Sequence, residues 1–347
     1  MSGPATVMTV TGPVASDSIG LTLTHEHLCN DIRAAIRPVT NPALAFLEHA
    51  PTSVTNAWLL REEPYACLDH CTLDGNSALE DLLAFGDLGG STVVDVTPRG
   101  AGRQPEVLRS LSERSGVRVV MGTGWYLERF HPRHLHDTDE RTLAADVVGE
   151  VENGVDGCDI APGVIGEIGV SPNFTHDEQK ALRAAARAQR ETGLPLYVHL
   201  PGWKRLAHDV LDLLLTKYRV TPGAVVLCHM DPSGRDPDYQ AAVAARGVWL
   251  EFDMIGMPYY FPGEGRSPSP DETAQAVAGL VRRGHAKQVL FSHDVFLKTM
   301  LRRFGGNGLS YVPLIFPGRL AAHGVPTNVT HDLLTRNPTL LFDAAVR

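Results

Sequence analysis

The sequence predicts an α/β fold, a (β/α)8 TIM barrel, and three observations predict it. Short β-branched runs alternate with longer helix-compatible stretches, eight such runs can be counted, and their interiors are almost continuously apolar, as in strands covered on both faces. At 347 residues the chain is long for one domain but ordinary for such a barrel, so a single domain over residues 1–347 is expected.

The expected strands run, in order, over Leu21 to Thr24, Thr92 to Val96, Arg118 to Gly122, Gly163 to Ile168, Leu196 to Val198, Ala224 to Leu227, Val248 to Phe252 and Gln288 to Phe291. Helices are expected over Asn76 to Leu88, Pro105 to Ser115, Asp177 to Glu191, Arg205 to Lys217, Pro237 to Ala245 and Asp271 to Arg283. The third of these, DEQKALRAAARAQRE, combines strong helix formers with acids in its first turn and reaches Gly193 as a stop. Two stretches are too long for barrel turns, roughly residues 41–73 and 255–270. The second, IGMPYYFPGEGRSPSP, is rich in Pro, Gly and aromatics and reads as a loop over the site.

Apolar residues make up 43% of the chain and charged residues 20%, an ordinary globular balance that argues against disorder. A formal charge of −9 offers no basic field to phosphate backbones or anionic lipids, so neither nucleic acid nor membrane is an expected partner, and a small-molecule substrate is. No charged segment followed by an apolar run opens the chain, and no stretch approaches the ~18 apolar residues of a membrane span, so a cytoplasmic location is expected. The five cysteines are an odd number without paired CxxC spacing, which suits reduced thiols.

Active sites of such barrels lie at the carboxyl ends of the strands, so the residue at which each apolar run stops is informative. The first run ends in His25-Glu26-His27, the fourth carries Glu167, the fifth ends at His199, the sixth at His229 and the eighth at His293-Asp294. Residues two apart in a strand share a face, so His25 and His27 point together to the barrel axis and Glu26 points away. Singly, a strand-end histidine is more often a structural hydrogen-bonding residue, and Glu167 alone is a reasonable helix cap. Six imidazole and carboxylate side chains on one rim instead read as ligands of two divalent metal ions, zinc first, with manganese, cobalt and iron as alternatives. His293 neighbours Asp294 but faces the other way, so it is expected to support the site without ligating. The remaining histidines are expected in surface or packing roles.

Several segments resemble the phosphotriesterase family of the amidohydrolase superfamily: VTGPV, LTLTHEHL, VVDVTPRGAGR, MGTGWY, VIGEIGVS, VHLPG, VLCHMDPS, FSHD, GGNGLSYV and RNPTLLF. The resemblance covers nearly the whole chain and implies that His25, His27 and Asp294 hold the more buried ion and His199 and His229 the more exposed one. Many members bridge the ions with a carbamylated lysine on the fourth strand. This chain has Glu167 there and so resembles the glutamate-bridged branch, which includes the phosphotriesterase homology and phosphotriesterase-related proteins. The resemblance also implies a homodimer and a substrate contact at Tyr126. Trp125, Trp203 and Met254 are expected as pocket walls, Met254 standing where family lactonases carry an arginine. Asp253 is a candidate proton shuttle beside the substrate.

Together these residues predict a hydrolase of a small carboxylic ester, lactone or amide, in which two cations ionise a shared water and Asp294 takes the proton. Phosphotriester hydrolysis is the alternative, and a non-catalytic metal-binding barrel is the second. No GxSxG elbow follows a strand, so a serine nucleophile has no support.

Overall fold

The apolar runs form eight parallel strands in the computed structural model, which describes residues 5–345. They are β1 (Leu21–Glu26), β2 (Gly90–Asp95), β3 (Arg118–Thr123), β4 (Val164–Gly169), β5 (Leu196–His199), β6 (Val225–Leu227), β7 (Trp249–Phe252) and β8 (Val289–Phe291). Sheet neighbours follow chain order from β1 to β8, as expected when each crossover is a right-handed βα unit.

The seam between β8 and β1 is closed by individual bonds instead of a ladder. Thr24 Oγ1 donates to the Phe291 carbonyl at 3.2 Å and the His25 amide to Ser292 Oγ at 3.0 Å. Just beyond, the Asp294 amide donates to the His25 carbonyl at 3.2 Å and the His27 amide to the Val295 carbonyl at 3.1 Å. The result is a nearly closed barrel with its helices outside.

Alternation along the strands divides the core in two. Val94, Val120, Val164, Tyr197, Val226 and Leu290 pack together inside the barrel, sealed below by Ile19 and Phe342. Val93, Val119, Ile165, Val198, Leu227 and Phe291 point outward to the helices. Both sets are fully buried, which is why the strands read as unbroken apolar runs.

The helices start and stop on chemical signals. His176–Thr192 opens with a Thr175–Glu178 capping box and closes on Gly193 in the left-handed conformation at φ 75°. Pro270–Arg282 opens with a second box, Ser269–Glu272. Such caps stabilise a helix end by about 1 kcal/mol each.

Several elements differ from expectation. A helix over Glu140–Asn153 precedes β4, but its sequence ERTLAADVVGEVEN carries two adjacent valines and a glycine that blur the helical signal. The Thr6–Thr9/Gly12–Ala15 hairpin and the helices Thr327–Leu334 and Arg336–Ala345 also lie beyond the eight-unit reading. The helix expected over Arg205 to Lys217 begins at Ala207 and changes to a π-helical turn over Asp212–Lys217. The 41–73 stretch forms a small subassembly around Leu47, Leu60, Ala66 and Cys67, tied to the barrel where Thr72–Leu73 pairs antiparallel with Asn30–Asp31. All five cysteines are free, and no described helix is long and apolar enough to cross a membrane.

Candidate active site

Six side chains from five strands meet at the carboxyl rim of the barrel. His25 Nε2 lies 3.5 Å from Asp294 Oδ1 and 3.8 Å from Glu167 Oε2. His27 Nε2 lies 3.3 Å from Asp294 Oδ1 and 3.7 Å from Glu167 Oε1. On the other side His199 Nδ1 and His229 Nε2 approach Glu167 Oε2 at 3.2 and 3.4 Å, and these two nitrogens are 2.7 Å apart. Glu167 thus offers Oε1 to His27, and Oε2 to the His199–His229 pair and, at longer range, to His25. The His25 side chain is fully buried and that of His199 is 16% exposed, so the cluster grades from closed to open.

Local backbone geometry supports a dedicated arrangement. His229 and Asp294 adopt left-handed conformations with φ of 59° and 52°. Each costs of order 1 kcal/mol or more and persists only where the surroundings enforce it, as at functional sites. Both turns lie where a strand ends, which swings the side chain over the rim.

A buried shell orients the imidazoles. Asp253 Oδ1 accepts from His229 Nδ1 at 2.9 Å, and both Asp253 oxygens accept the His229 amide. Thr97 Oγ1 lies 2.8 Å from His27 Nδ1. His25 Nδ1 faces Asp253 Oδ2 at 3.2 Å and Glu251 Oε2 at 3.3 Å. These contacts leave the opposite ring nitrogens of His25, His27 and His229 facing the cluster, where a ligand would need them. Glu26 points away from the barrel axis, as its position between His25 and His27 requires. It accepts from Ser292 Oγ, the His293 amide, His293 Nδ1 and the Val295 amide at 2.7–2.9 Å. His293 Nε2 accepts the Val312 amide at 2.9 Å, so His293 has both nitrogens engaged outside the cluster.

The electrostatics call for positive charge. Burial opposes the charged form of His229, yet Asp253 and Glu167 raise its pKa well above the ordinary imidazole value. Burial likewise opposes protonation of His27, and Asp294 and Glu167 outweigh it. Burial raises the Glu167 carboxyl, but His199 and His229 pull it well below the usual range. His25 Nε2 is buried without a hydrogen-bond partner at the centre of this acidic and imidazole set. An orphaned nitrogen among carboxylates fits a cation-binding role, and the donor set of imidazoles and carboxylates suits zinc-like ions.

Above the cluster lies a cavity of about 110 Å³, open to solvent on one side. Tyr126, Trp203 and Met254 line it, with Tyr65, Phe261 and Phe296. The Tyr126 hydroxyl is 3.3 Å from His199 Nδ1, and its ring packs edge-on against the His199 ring at 4.9 Å. The 255–270 loop contributes Met257, Phe261 and Glu264 to the wall, and it is buttressed by the 41–73 stretch. There the Tyr260 amide donates to the Arg61 carbonyl at 2.9 Å and Arg266 pairs with Glu62 at 2.8 Å.

Two expected pocket residues lie elsewhere. Trp125 is 1% exposed within the helix-facing core, with Arg99 stacked over its ring at 5.8 Å, because the chain turns at Gly124 and presents Tyr126 to the cavity instead. Asp253 is fully buried beneath His25 and His229 and is not among the residues lining the cavity, so its contacts are with the two imidazoles it orients. Thr97, Glu251 and Cys228 were not anticipated around the imidazoles. Glu251 carried a signal, as an acid inside the otherwise apolar β7. Thr97 and Cys228 carried none.

The family comparison agrees with this geometry, since the phosphotriesterase family matches the chain over residues 5–342. The chain belongs to the phosphotriesterase family. Within that family it is 32% identical, over 96% of both chains, to an N-acetyltaurine hydrolase from Tetraodon nigroviridis. Among solved structures it is similar to a resiniferatoxin-binding protein from Rhodobacter sphaeroides, with a TM-score of 0.96, 45% identity, and coverage of 99% of this chain and 96% of that one. It is also similar to a lactonase from Listeria monocytogenes, with a TM-score of 0.78, 25% identity, and coverage of 97% and 99%. As a phosphotriesterase-family member the chain is a hydrolase of a metal-dependent family, with a cluster of metal-ligand side chains at its barrel rim.

Proposed function

We propose that this chain hydrolyses a small carboxylic ester, lactone or amide with a binuclear centre of divalent cations, zinc being the first choice. His25, His27 and Asp294 would hold one ion, His199 and His229 the other, and Glu167 would bridge them. One observation carries the reading: the Glu167 carboxylate stands between both proposed ligand sets, with Oε1 facing His27 and Oε2 facing His25, His199 and His229 at 3.2–3.8 Å. When bound, such ions lower the pKa of a shared water from about 15.7 towards about 7 and polarise the carbonyl oxygen. Amide and lactone hydrolysis by the relatives named above supports the same choice of substrate class.

The chain's own groups supply the rest. Asp294 reaches His25 and His27 with one oxygen, leaving the other to accept a proton at the cavity floor. Burial pushes the Tyr126 phenol well above its ordinary pKa, so it stays protonated and able to donate to a substrate oxygen beside His199. The aromatic walls lower the polarity around a bound substrate and so strengthen each polar contact within.

The test combines elemental analysis with Glu167→Gln. Two transition-metal ions per chain are expected in active protein and at most one in the variant, with hydrolysis reduced at least about 100-fold. Full activity without stoichiometric metal overturns the reading. Panels of lactones, aryl esters, N-acyl amines and phosphotriesters separate the substrate classes, and a phosphotriester as best substrate would replace the carbonyl substrate proposed here.

A further inference from the structure

The cavity wall carries three charged side chains besides those of the cluster: Arg37, Arg129 and Glu264. Arg37 is committed. Its guanidinium lies 3.7 Å from Glu264, donates to the Pro262 carbonyl and stacks on Tyr65 at 5.7 Å. Arg129 makes no hydrogen bond or ion pair with any described residue.

The backbone that presents Arg129 is fixed. Its 3-10 turn, Glu128–Phe130, lies between Leu127 and Phe130, which are buried in the core and also line the cavity. The Glu128 amide is held by Glu178 Oε1, and the His131 ring is held by the Tyr126 carbonyl at 2.7 Å. The side chain itself is exposed. Its positive charge is felt at the phenols of Tyr65 and Tyr126, two other wall residues, where it acts against the dominant effect of burial. With Arg37 paired to Glu264, the free Arg129 guanidinium on its fixed turn leaves the mouth with one unbalanced positive charge.

We infer that Arg129 is a specificity-determining residue, which anchors a carboxylate or sulfonate that the substrate carries several atoms away from its scissile carbonyl. This deepens the hydrolase reading and rests on it for the position of that carbonyl. The guanidinium fork matches a planar carboxylate with two parallel N–H donors and also takes sulfonate oxygens, whereas a neutral ligand end gives it nothing. Phe130 packs on Tyr126, which packs on His199, so the lining beside Arg129 offers an aromatic surface for an apolar spacer.

Calorimetric titration with probes that cannot be hydrolysed tests the anchor independently of turnover. The probes are 4-phenylbutanoate, 3-phenylpropane-1-sulfonate and the neutral 4-phenylbutan-1-ol, titrated into metal-loaded wild type, Arg129→Leu and Arg129→Lys. Both anions are expected to bind wild type more tightly than the alcohol. Arg129→Leu should weaken each anion about tenfold or more and leave the alcohol unchanged, with Arg129→Lys between the two. The anion preference of the wild type should shrink as salt rises, since the contact is exposed. Unchanged anion binding in Arg129→Leu would mean that the probes bind the metal ions and would overturn the anchor. Equal loss of the alcohol would also overturn it, by reducing Arg129 to packing. Hydrolysis of neutral esters is read separately: if it persists while anion binding is unaffected by Arg129, the anchor fails and the hydrolase reading stands.

Discussion

Asp253 holds His229 through two bonds at once, accepting the ring Nδ1–H at 2.9 Å and the backbone amide at 3.0 Å. The first bond selects the tautomer with a free Nε2, and the second fixes the left-handed turn that aims the ring. Burial works against the Asp253 charge, but His229 and His25 hold its carboxyl far below the ordinary range. Asp253→Asn keeps the shape and removes the acceptor charge. Metal affinity, measured by competition with a chelator, should fall 10–100-fold while the unfolding midpoint moves little. Unchanged affinity would show that the carboxylate does not tune the imidazole.

Tyr126→Phe removes only the hydroxyl beside His199 and keeps the ring contacts with His199 and Phe130. The kcat for a carbonyl substrate should drop roughly tenfold, with a stability change under about 1 kcal/mol. A variant with wild-type kcat would leave Tyr126 as wall and nothing more.

Arg103 is a buried cation, its side chain 1% exposed between Glu150 and Asp156. Thr123 and Arg99 also bind Glu150, so this network pins the loop after β2 that brings Pro98 and Ala101 to the cavity. Arg103→Met should cost about 3 kcal/mol in urea denaturation, because Glu150 keeps a buried charge with less compensation. Adding Glu150→Gln should recover part of that loss. A double variant as unstable as the sum of the singles would contradict the coupling.

Asp81 gives a pH signature away from the imidazole–carboxylate cluster. One of its oxygens accepts the Arg302 amide at 3.3 Å, the other has no partner, and burial pushes its carboxyl up to about 6. A raised carboxyl pKa means that the folded state favours the neutral form. Its contribution is therefore favourable at low pH and is lost as pH rises from the unfolded value of about 4 through about 6. Asp81→Asn should remove this dependence, making the variant more stable than wild type above pH 7 by about 2 kcal/mol. Parallel stability curves for the two proteins across pH 4–8 would refute the assignment.

The barrel was legible because burial on both faces leaves every strand interior apolar, so strand ends could be located by the first polar residue. That logic found His25, His27, His199, His229 and Asp294 directly. Glu167 was legible as a polar residue inside an apolar run, and Glu251 has the same mark on β7. The alternation rule also separated Glu26 and His293 from the cluster. What failed was local detail with no periodic signature. A one-residue difference in the turn at Gly124 sends Trp125 into the core and Tyr126 to the cavity. Asp253 was noticed, but sequence spacing cannot distinguish a residue beneath an imidazole from one above it. Arg129 was invisible, since a cation in a short 3-10 turn resembles any surface residue until the cavity forms around it.

Glu26 reaches from the first barrel strand to Ser292, His293 and Val295, residues some 270 positions later in the chain. Because Asp294 sits inside that clasp, its carboxylate joins His25 and His27 only when the final strand has docked. A nascent or partly unravelled chain therefore has imidazoles but no assembled floor. Hydrolytic competence arrives in one step with completion of the ring, and loosening the seam should silence the enzyme before the remainder of the fold melts.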